Sequence, residues 1–266
     1  MKIYLAIFRM RFISAIQYRI VAFSHIMTCF VWGAMLILAY AAFYRTNPSA
    51  FPMSFTQTVS YVWMQETFLI LFSVVFADGE IESILETGSI AYELVRPTDL
   101  YGRWFTRTCA GRVAVTLFRI PVIIVAFILP GIFKMSLPPD ITQLLLFLLS
   151  MILALGVTVS FTMLMYVVMF HTISFRGVRV IMTAVTTFLS GGVIPLPFFP
   201  ASIRDIVQLL PFAAMQNMPS RIYSGNITGL DAIYGIGLQL FWLIALVLFG
   251  KLTMHFSLNK VIVQGG

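Results

Sequence analysis

Six stretches of this sequence are each long and apolar enough to cross about 30 Å of hydrocarbon as a helix, which limits the fold more than any other feature. They cover roughly residues 20–43, 58–77, 106–130, 141–170, 179–198 and 231–254. Backbone in hydrocarbon must pair its own polar groups, so segments of this length are expected to be helices. Composition points the same way. The chain is 60% hydrophobic and 10% charged, where a soluble domain carries about 25% charged residues. The expectation is an all-α membrane protein: six transmembrane helices in one membrane domain over 20–266, after an N-terminal segment 1–19. The fourth apolar run exceeds what a crossing needs and is expected to tilt or project.

Lysines and arginines orient the spans. Lys2, Arg9, Arg11, Arg19, Arg96, Arg103, Arg107, Arg176, Arg179, Lys251 and Lys260 fall on one side of the six-span arrangement, and Arg45, Lys134, Arg204 and Arg221 on the other. The positive-inside rule puts the richer side, with both termini, in the cytoplasm. The net charge of +7 is therefore topological and does not indicate a nucleic-acid partner; membrane lipids are the surroundings. Arg9 and Arg11 interrupt any signal-like apolar region, so residues 1–19 are expected to form an interfacial helix with Ile3, Ile7, Phe8 and Phe12 in lipid. Arg11 lies opposite Lys2 on a helical wheel, so this helix should also pack partly on protein.

Six of the ten acidic residues lie in one connection on the cytoplasmic side: Asp78, Glu80, Glu82, Glu86, Glu93 and Asp99. Ser83 and Glu86 have capping-box spacing, Gly88 should break the chain, and Ile90 and Leu94 form an apolar pair one turn apart. Arg96-Pro97 should end the short helix, with Thr98 or Asp99 capping the next. The segment 78–99 is either a solvated loop or a docking element for a cytoplasmic partner. The chain carries no glycine-rich phosphate loop, so ATP-driven work would need another polypeptide.

Glu66, Arg112 and Arg119 are ionisable residues inside expected spans, where charge is costly and partners are expected. Glu66 and Arg119 come out about 16–20 Å deep from the same side, which suits an ion pair; contact with a transported substrate is the other reading. Arg112 is shallower and is expected to snorkel inward. Cys29 and Cys109 sit in apolar segments and are expected to be small core residues. The three histidines have no metal-ligand spacing, and no nucleophile–base constellation is visible, so no catalytic or metal residue is assigned.

The stretch "LSGGVIPLPFFP", residues 189–200, crowds Gly191, Gly192, Pro195, Pro197 and Pro200 at the outer end of the fifth run, where a helix cannot continue. Residues 199–220 suit two short helices, with Ser202 a cap and Pro211 starting the second; their apolar content argues against a plain outer loop, the remaining alternative.

"GSIAYELVRPTDLYGRWF" and the later "FLSGGVIPLPFFPASIRDIVQLLPFAAMQNMPSRIYSG", with the closing "VIVQGG", resemble the permease subunits of ABC-2 type transporters. The resemblance covers essentially the whole chain. It implies a non-catalytic transmembrane subunit of an exporter in the bacterial inner membrane and short re-entrant helices over 199–220 at the outer leaflet. It also implies ATP and Mg held by separate cytoplasmic ABC ATPase subunits, and a second permease, more often a different one than a second copy. On that reading Ile90, Tyr92 and Leu94 enter a cleft of the ATPase, Glu86 and Glu93 meet its basic rim, and Pro97 fixes the corner into the third span. A secondary transporter, or another polytopic membrane protein without an ATPase partner, is the alternative; a secondary transporter should show paired broken helices in both halves, and only the break near Pro195 is visible.

Overall fold

The computed structural model describes residues 2–16, 19–48, 51–172 and 175–259, with side chains from residue 24 onward in the second of these segments and up to 14 in the first. The closing "VIVQGG", Lys260 and the Arg19 side chain lie outside the described residues. Among those described, the chain is helical and has no strand.

In chain order the helices are α1 (Lys2–Ile16), α2 (Arg19–Thr46), α3 (Phe55–Thr67), α4 (Leu69–Phe72), α5 (Gly79–Glu86) and α6 (Ile90–Leu94). After these come α7 (Leu100–Leu117), α8 (Ile120–Ile128), α9 (Ile141–Met169), α10 (Phe175–Leu189), α11 (Ala201–Val207), α12 (Asn217–Tyr223) and α13 (Gly229–Leu258). Among the described residues four stretches are long and apolar enough to cross a membrane: Ser24–Thr46, Leu100–Ile128, Ile141–Met169 and Gly229–Leu258. The expected second and fifth runs form shorter helices, α3–α4 and α10. The long fourth run is a single helix of 29 residues, about 43 Å at 1.5 Å per residue.

That helix, α9, is the centre of the fold and touches α4, α5, α7, α10, α12 and α13. Its face carrying Ala154, Val157, Thr158 and Met163 is fully enclosed. Small residues bring α13 close: a Cβ at Gly156 would lie 2.8 Å from Leu243 Cδ1. Gln239 of α13 adds a polar tie, donating to Ser150 O at 3.2 Å and to Ala214 O at 2.8 Å. α1 runs along α7, its Tyr4 ring over Gly102, with Ile3 exposed and Ile7, Phe8 and Phe12 half-buried.

Two helices are broken in mid-course. The α7–α8 break at Phe118–Arg119 follows from Pro121, which lacks an N–H and disfavours helical geometry at the residue before it. The α3–α4 break at Phe68 has no proline; Arg119 and Gln216 bind the carbonyls of Glu66 and Gln65 that it frees. A third interruption follows α10. Gly192 N donates to Thr187 O at 2.9 Å, and Gly191 takes φ +79, which favours glycine. Pro195 and Pro197 bound a short turn of 3₁₀ helix (Leu196–Phe198), and Pro200 caps α11. Two short helices follow as expected, but Ser202 lies inside α11 and caps nothing, and the second starts at Asn217. Pro211 falls instead in a run of turns whose residues 213–216 are buried.

The irregular stretch is held from outside. Gln65 Nε2 donates to Gly192 O at 2.7 Å, Trp242 Nε1 to Leu209 O at 2.9 Å, and Gln57 Nε2 to Gly225 O at 3.1 Å. Gln143 Nε2 reaches Ile222 O and Ile227 O at 2.7 and 2.6 Å, and Gln216 Nε2 returns a bond to Gln65 O at 3.1 Å.

Gly191 offers a direct test. A Cβ there would sit 2.7 Å from Tyr61 Oη in a backbone conformation unsuited to an L side chain. Gly191→Ala should destabilise the purified protein by about 1–3 kcal/mol, read as a lower melting temperature in detergent. Adding Tyr61→Phe, which removes the overlapping hydroxyl, should recover only part, because the backbone strain stays.

Candidate functional site

The connection between α4 and α7 is built around Asp78. Its carboxylate caps α5 by accepting from Glu80 N at 3.0 Å, and its own N–H donates to Tyr166 Oη of α9 at 2.8 Å. Arg11 of α1 reaches both Asp78 oxygens at 2.9 Å. Arg107 of α7 meets them at 2.7 and 3.1 Å and also pairs with Glu80. One aspartate thus ties together α1, α5, α7 and α9. Burial pushes the Asp78 carboxyl up, but Arg107 and Arg11 outweigh it and hold the group below the usual aspartate value. Arg107 likewise holds Glu80 down.

The other acids are divided between the interior and the surface. Glu82 pairs with Arg179 of α10 at 2.7 Å, with burial the larger influence on its carboxyl, which is raised. Glu93 is buried against Arg103 at 3.0 Å, with Arg96 at 3.3 Å, and Arg103 also donates to Glu93 O at 2.8 Å. Glu93 is therefore turned inward by the guanidinium of α7 and is not free for a basic rim. Ile90 is also buried, in the cluster of Ile81, Leu100 and Trp104, so it cannot enter a partner's cleft. Glu86, Tyr92, Leu94, Val95 and Pro97 are among the exposed residues, with Tyr92 79% and Val95 83% exposed. Gly88, at φ +67, breaks the chain as expected. Asp99 caps α7 through Gly102 N at 2.8 Å, whereas Ser83 lies inside α5 and Asp78 takes the cap.

Glu66 and Arg119 do come together, but not as an ion pair. Arg119 Nη1 donates to the main-chain carbonyl of Glu66 at 2.9 Å, and Cys29 Sγ donates to the same oxygen at 3.3 Å. The reason is the break after α3: a carbonyl in the last turn of a helix has no partner further along and draws the nearest donor. Arg119 Nη2 also donates to His25 Nδ1 at 3.0 Å. Arg112 does not snorkel. It is buried, and its Nη1 donates to Ile70 O, Leu71 O and Ser73 O at 3.1, 3.3 and 2.6 Å, closing the end of α4, while Nη2 reaches Thr162 Oγ1 at 3.1 Å. Gly191, Gly192, Pro195, Pro197 and Pro200 form the bend described above. Among the described residues no group of three or more histidine, cysteine or acidic side chains is placed to hold a metal ion.

A helical chain with four long apolar spans, broken helices and a salt-bridged connection bearing an exposed apolar edge is the setting for the family comparison. Residues 30–265 match the family model described as ABC-2 family transporter protein. The chain belongs to the ABC-2 transporter family. Members of this family are membrane transporter components, generally non-catalytic, that normally pair with ABC ATPase subunits. No curated protein matches the chain. The match to the ABC-2 family begins within α2, so α1 and its Arg11 lie outside the matched residues.

Several residues of this ABC-2 transporter escaped sequence reading. Arg11 and Arg107 registered only as charges that set orientation, and the docking reading turned the acids outward. Their partners are 67 and 29 residues away from Asp78, which no local spacing reveals. Arg112 binds backbone, and backbone acceptors leave no mark on a sequence.

Asp78, being depressed, stabilises the fold fully above its ordinary value of 3.8 and loses that contribution as pH falls through its lower folded-state value. Asp78→Asn should therefore lower the melting temperature at pH 7, and the gap between parent and variant should narrow progressively as pH falls below 3.8. A gap independent of pH would refute the charge-based account. For the intramembrane pair, Arg119→Met should lower the melting temperature more than Glu66→Gln, since the carbonyl contact survives the second change; loss of a charged hydrogen bond costs about 1.5–3 kcal/mol. Exchanging the two residues should rescue nothing, and recovery in that double variant would restore the ion pair.

Proposed function

We propose that the chain is the permease subunit of an ATP-driven ABC-2 exporter in a bacterial inner membrane, with six crossings and both termini cytoplasmic. In this reading α3–α4 is the second crossing and α10, continued by the apolar residues to Pro200, the fifth. The bent stretch 190–227 re-enters the outer leaflet, with its carbonyls held by glutamines of the surrounding helices. ATP and Mg belong to separate ATPase subunits, and a second permease, more often a different one, completes the pathway.

The observation that carries the reading is the exposed apolar edge Tyr92, Leu94 and Val95 on a connection otherwise fastened inward. Exposed apolar groups on such a support mark an interaction surface, and buried anchors carry most interface energy. Glu86 and Pro97 flank it; Ile90 and Glu93 serve as its internal fastening. Closure of the ATPase pair on ATP would pull this edge, and Asp78, Glu82 and Glu93 would pass the movement to α1, α7 and α10. The ligand moves such an equilibrium only through its different affinity for the two states, which resides on the ATPase.

Tagged protein purified from its native membranes should carry an ABC ATPase and hydrolyse ATP. Leu94→Asp should remove most of both while leaving the melting temperature unchanged; Leu137→Asp, at an exposed residue of the opposite side, should alter neither. Full ATPase recovery with Leu94→Asp would refute the docking assignment.

A further inference from the structure

A cavity of about 430 Å³ lies between α1, α2, the stretch 70–79 and α7. One wall is apolar, with Ile70, Phe76, Val115 and Phe118; the other presents Arg11, His25, Asp78, Arg107, Thr108 and Arg112. Arg11 and Arg107 are balanced by Asp78 and Glu80. Arg112 is not. Main-chain carbonyls and Thr162 satisfy its Nη atoms, but it makes no ion pair among the described residues, and its Nε has no partner. Thr108, another residue lining the cavity and 4% exposed, has a buried Oγ1 that is unpartnered as well. A buried guanidinium without a countercharge is costly, so this wall favours an anion with acceptor oxygens.

Gly111 adds a second, independent sign. It sits in the interior of α7, where glycine costs roughly 1 kcal/mol against alanine, and a Cβ there would meet nothing within 4 Å. No close helix approach requires this glycine; the space above it belongs to the cavity. Gly79, on the facing stretch, is likewise open.

We propose that this cavity binds the headgroup of an anionic phospholipid, its phosphate supplying the countercharge to Arg112 and accepting from Thr108, its acyl chains leaving along Phe76 and Phe118. Guanidinium and hydroxyl donors suit phosphate oxygens. The apolar wall and the exposed Met10 and Ile13 of α1, neighbours in sequence of the lining residues Arg11 and Ser14, favour a lipid over a free phosphate. The proposal uses the transporter reading only to assign the leaflet, the cytoplasmic one.

The test titrates the purified chain, without any ATPase, with dioctanoyl phosphatidylglycerol in detergent. A saturable rise in melting temperature of roughly 3 °C or more is expected, with a bound lipid in native mass spectra. Dioctanoylglycerol and inorganic phosphate at equal concentration should give no such shift. Gly111→Leu, which fills the open space and removes no polar group, should weaken the apparent affinity at least about tenfold; Gly111→Ala should bind like the parent. Arg112→Gln should also lose binding, but Gly111→Leu decides if that variant fails to fold. Undiminished binding by a folded Gly111→Leu protein overturns the site. An equal shift with inorganic phosphate overturns the lipid assignment, and one with dioctanoylglycerol overturns the role of charge. Because no ATPase takes part, a negative result here leaves the permease reading standing, and failure of ATPase co-purification leaves this one standing.

Discussion

Every break in a helix away from water exposes carbonyls that must find donors, and this structure is organised around how those donors are supplied. A continuous helix satisfies its backbone from within. Here α3–α4 and the stretch after α10 do not, and each depends on side chains from elsewhere. Arg119 takes the carbonyl of Glu66, Arg112 takes three at the end of α4, and Gln65, Gln143 and Gln239 take those of the bent segment. Unpaired, each such group would cost on the order of 1–3 kcal/mol. The polar residues of the apolar core are thus best understood as backbone partners, fixed in place by α9 and its neighbours.

The same economy operates in the acidic connection. Its carboxylates outnumber what a solvated loop needs, and most of them are spent inward. Asp78 joins four helices, Glu82 reaches α10, and Glu93 fastens α6 to α7. Because these pairs are part-buried, solvent screens them less than surface pairs. Left over on the outside is a short apolar edge, small and well supported, on a protein of a family that works with ATPase subunits.

The long helices were legible because length and apolar content alone require them: the ends of α9 and α13 fall within a few residues of the limits expected from hydropathy. Gly88, Gly191 and Asp99 were legible too, since left-handed backbone and capping leave a residue-type signature. Pro211 misled, because a proline permits a helix start without imposing one, and buried turns run on to Asn217. Ile90 and Leu94 looked equivalent on a helical wheel, yet only Leu94 stays exposed, for the packing of Trp104 and Leu100 over Ile90 is a matter of tertiary contact. Glu66 and Arg119 do meet, but the acceptor is a carbonyl, and every residue has one. Sequence marks the donors; it cannot mark which backbone groups will be left without partners.

Arg112 has a mechanical consequence. By holding the carbonyls of Ile70, Leu71 and Ser73 with one nitrogen, it occupies the acceptors that α4 would need to wind one turn further toward Asp78. The strand of chain between α4 and α5 can neither shorten into helix nor lengthen by unwinding without displacing a buried guanidinium. It behaves as a strut of fixed length. To be taken up by the backbone between α4 and α5, a displacement at residues 79–95 would first have to break these contacts of Arg112.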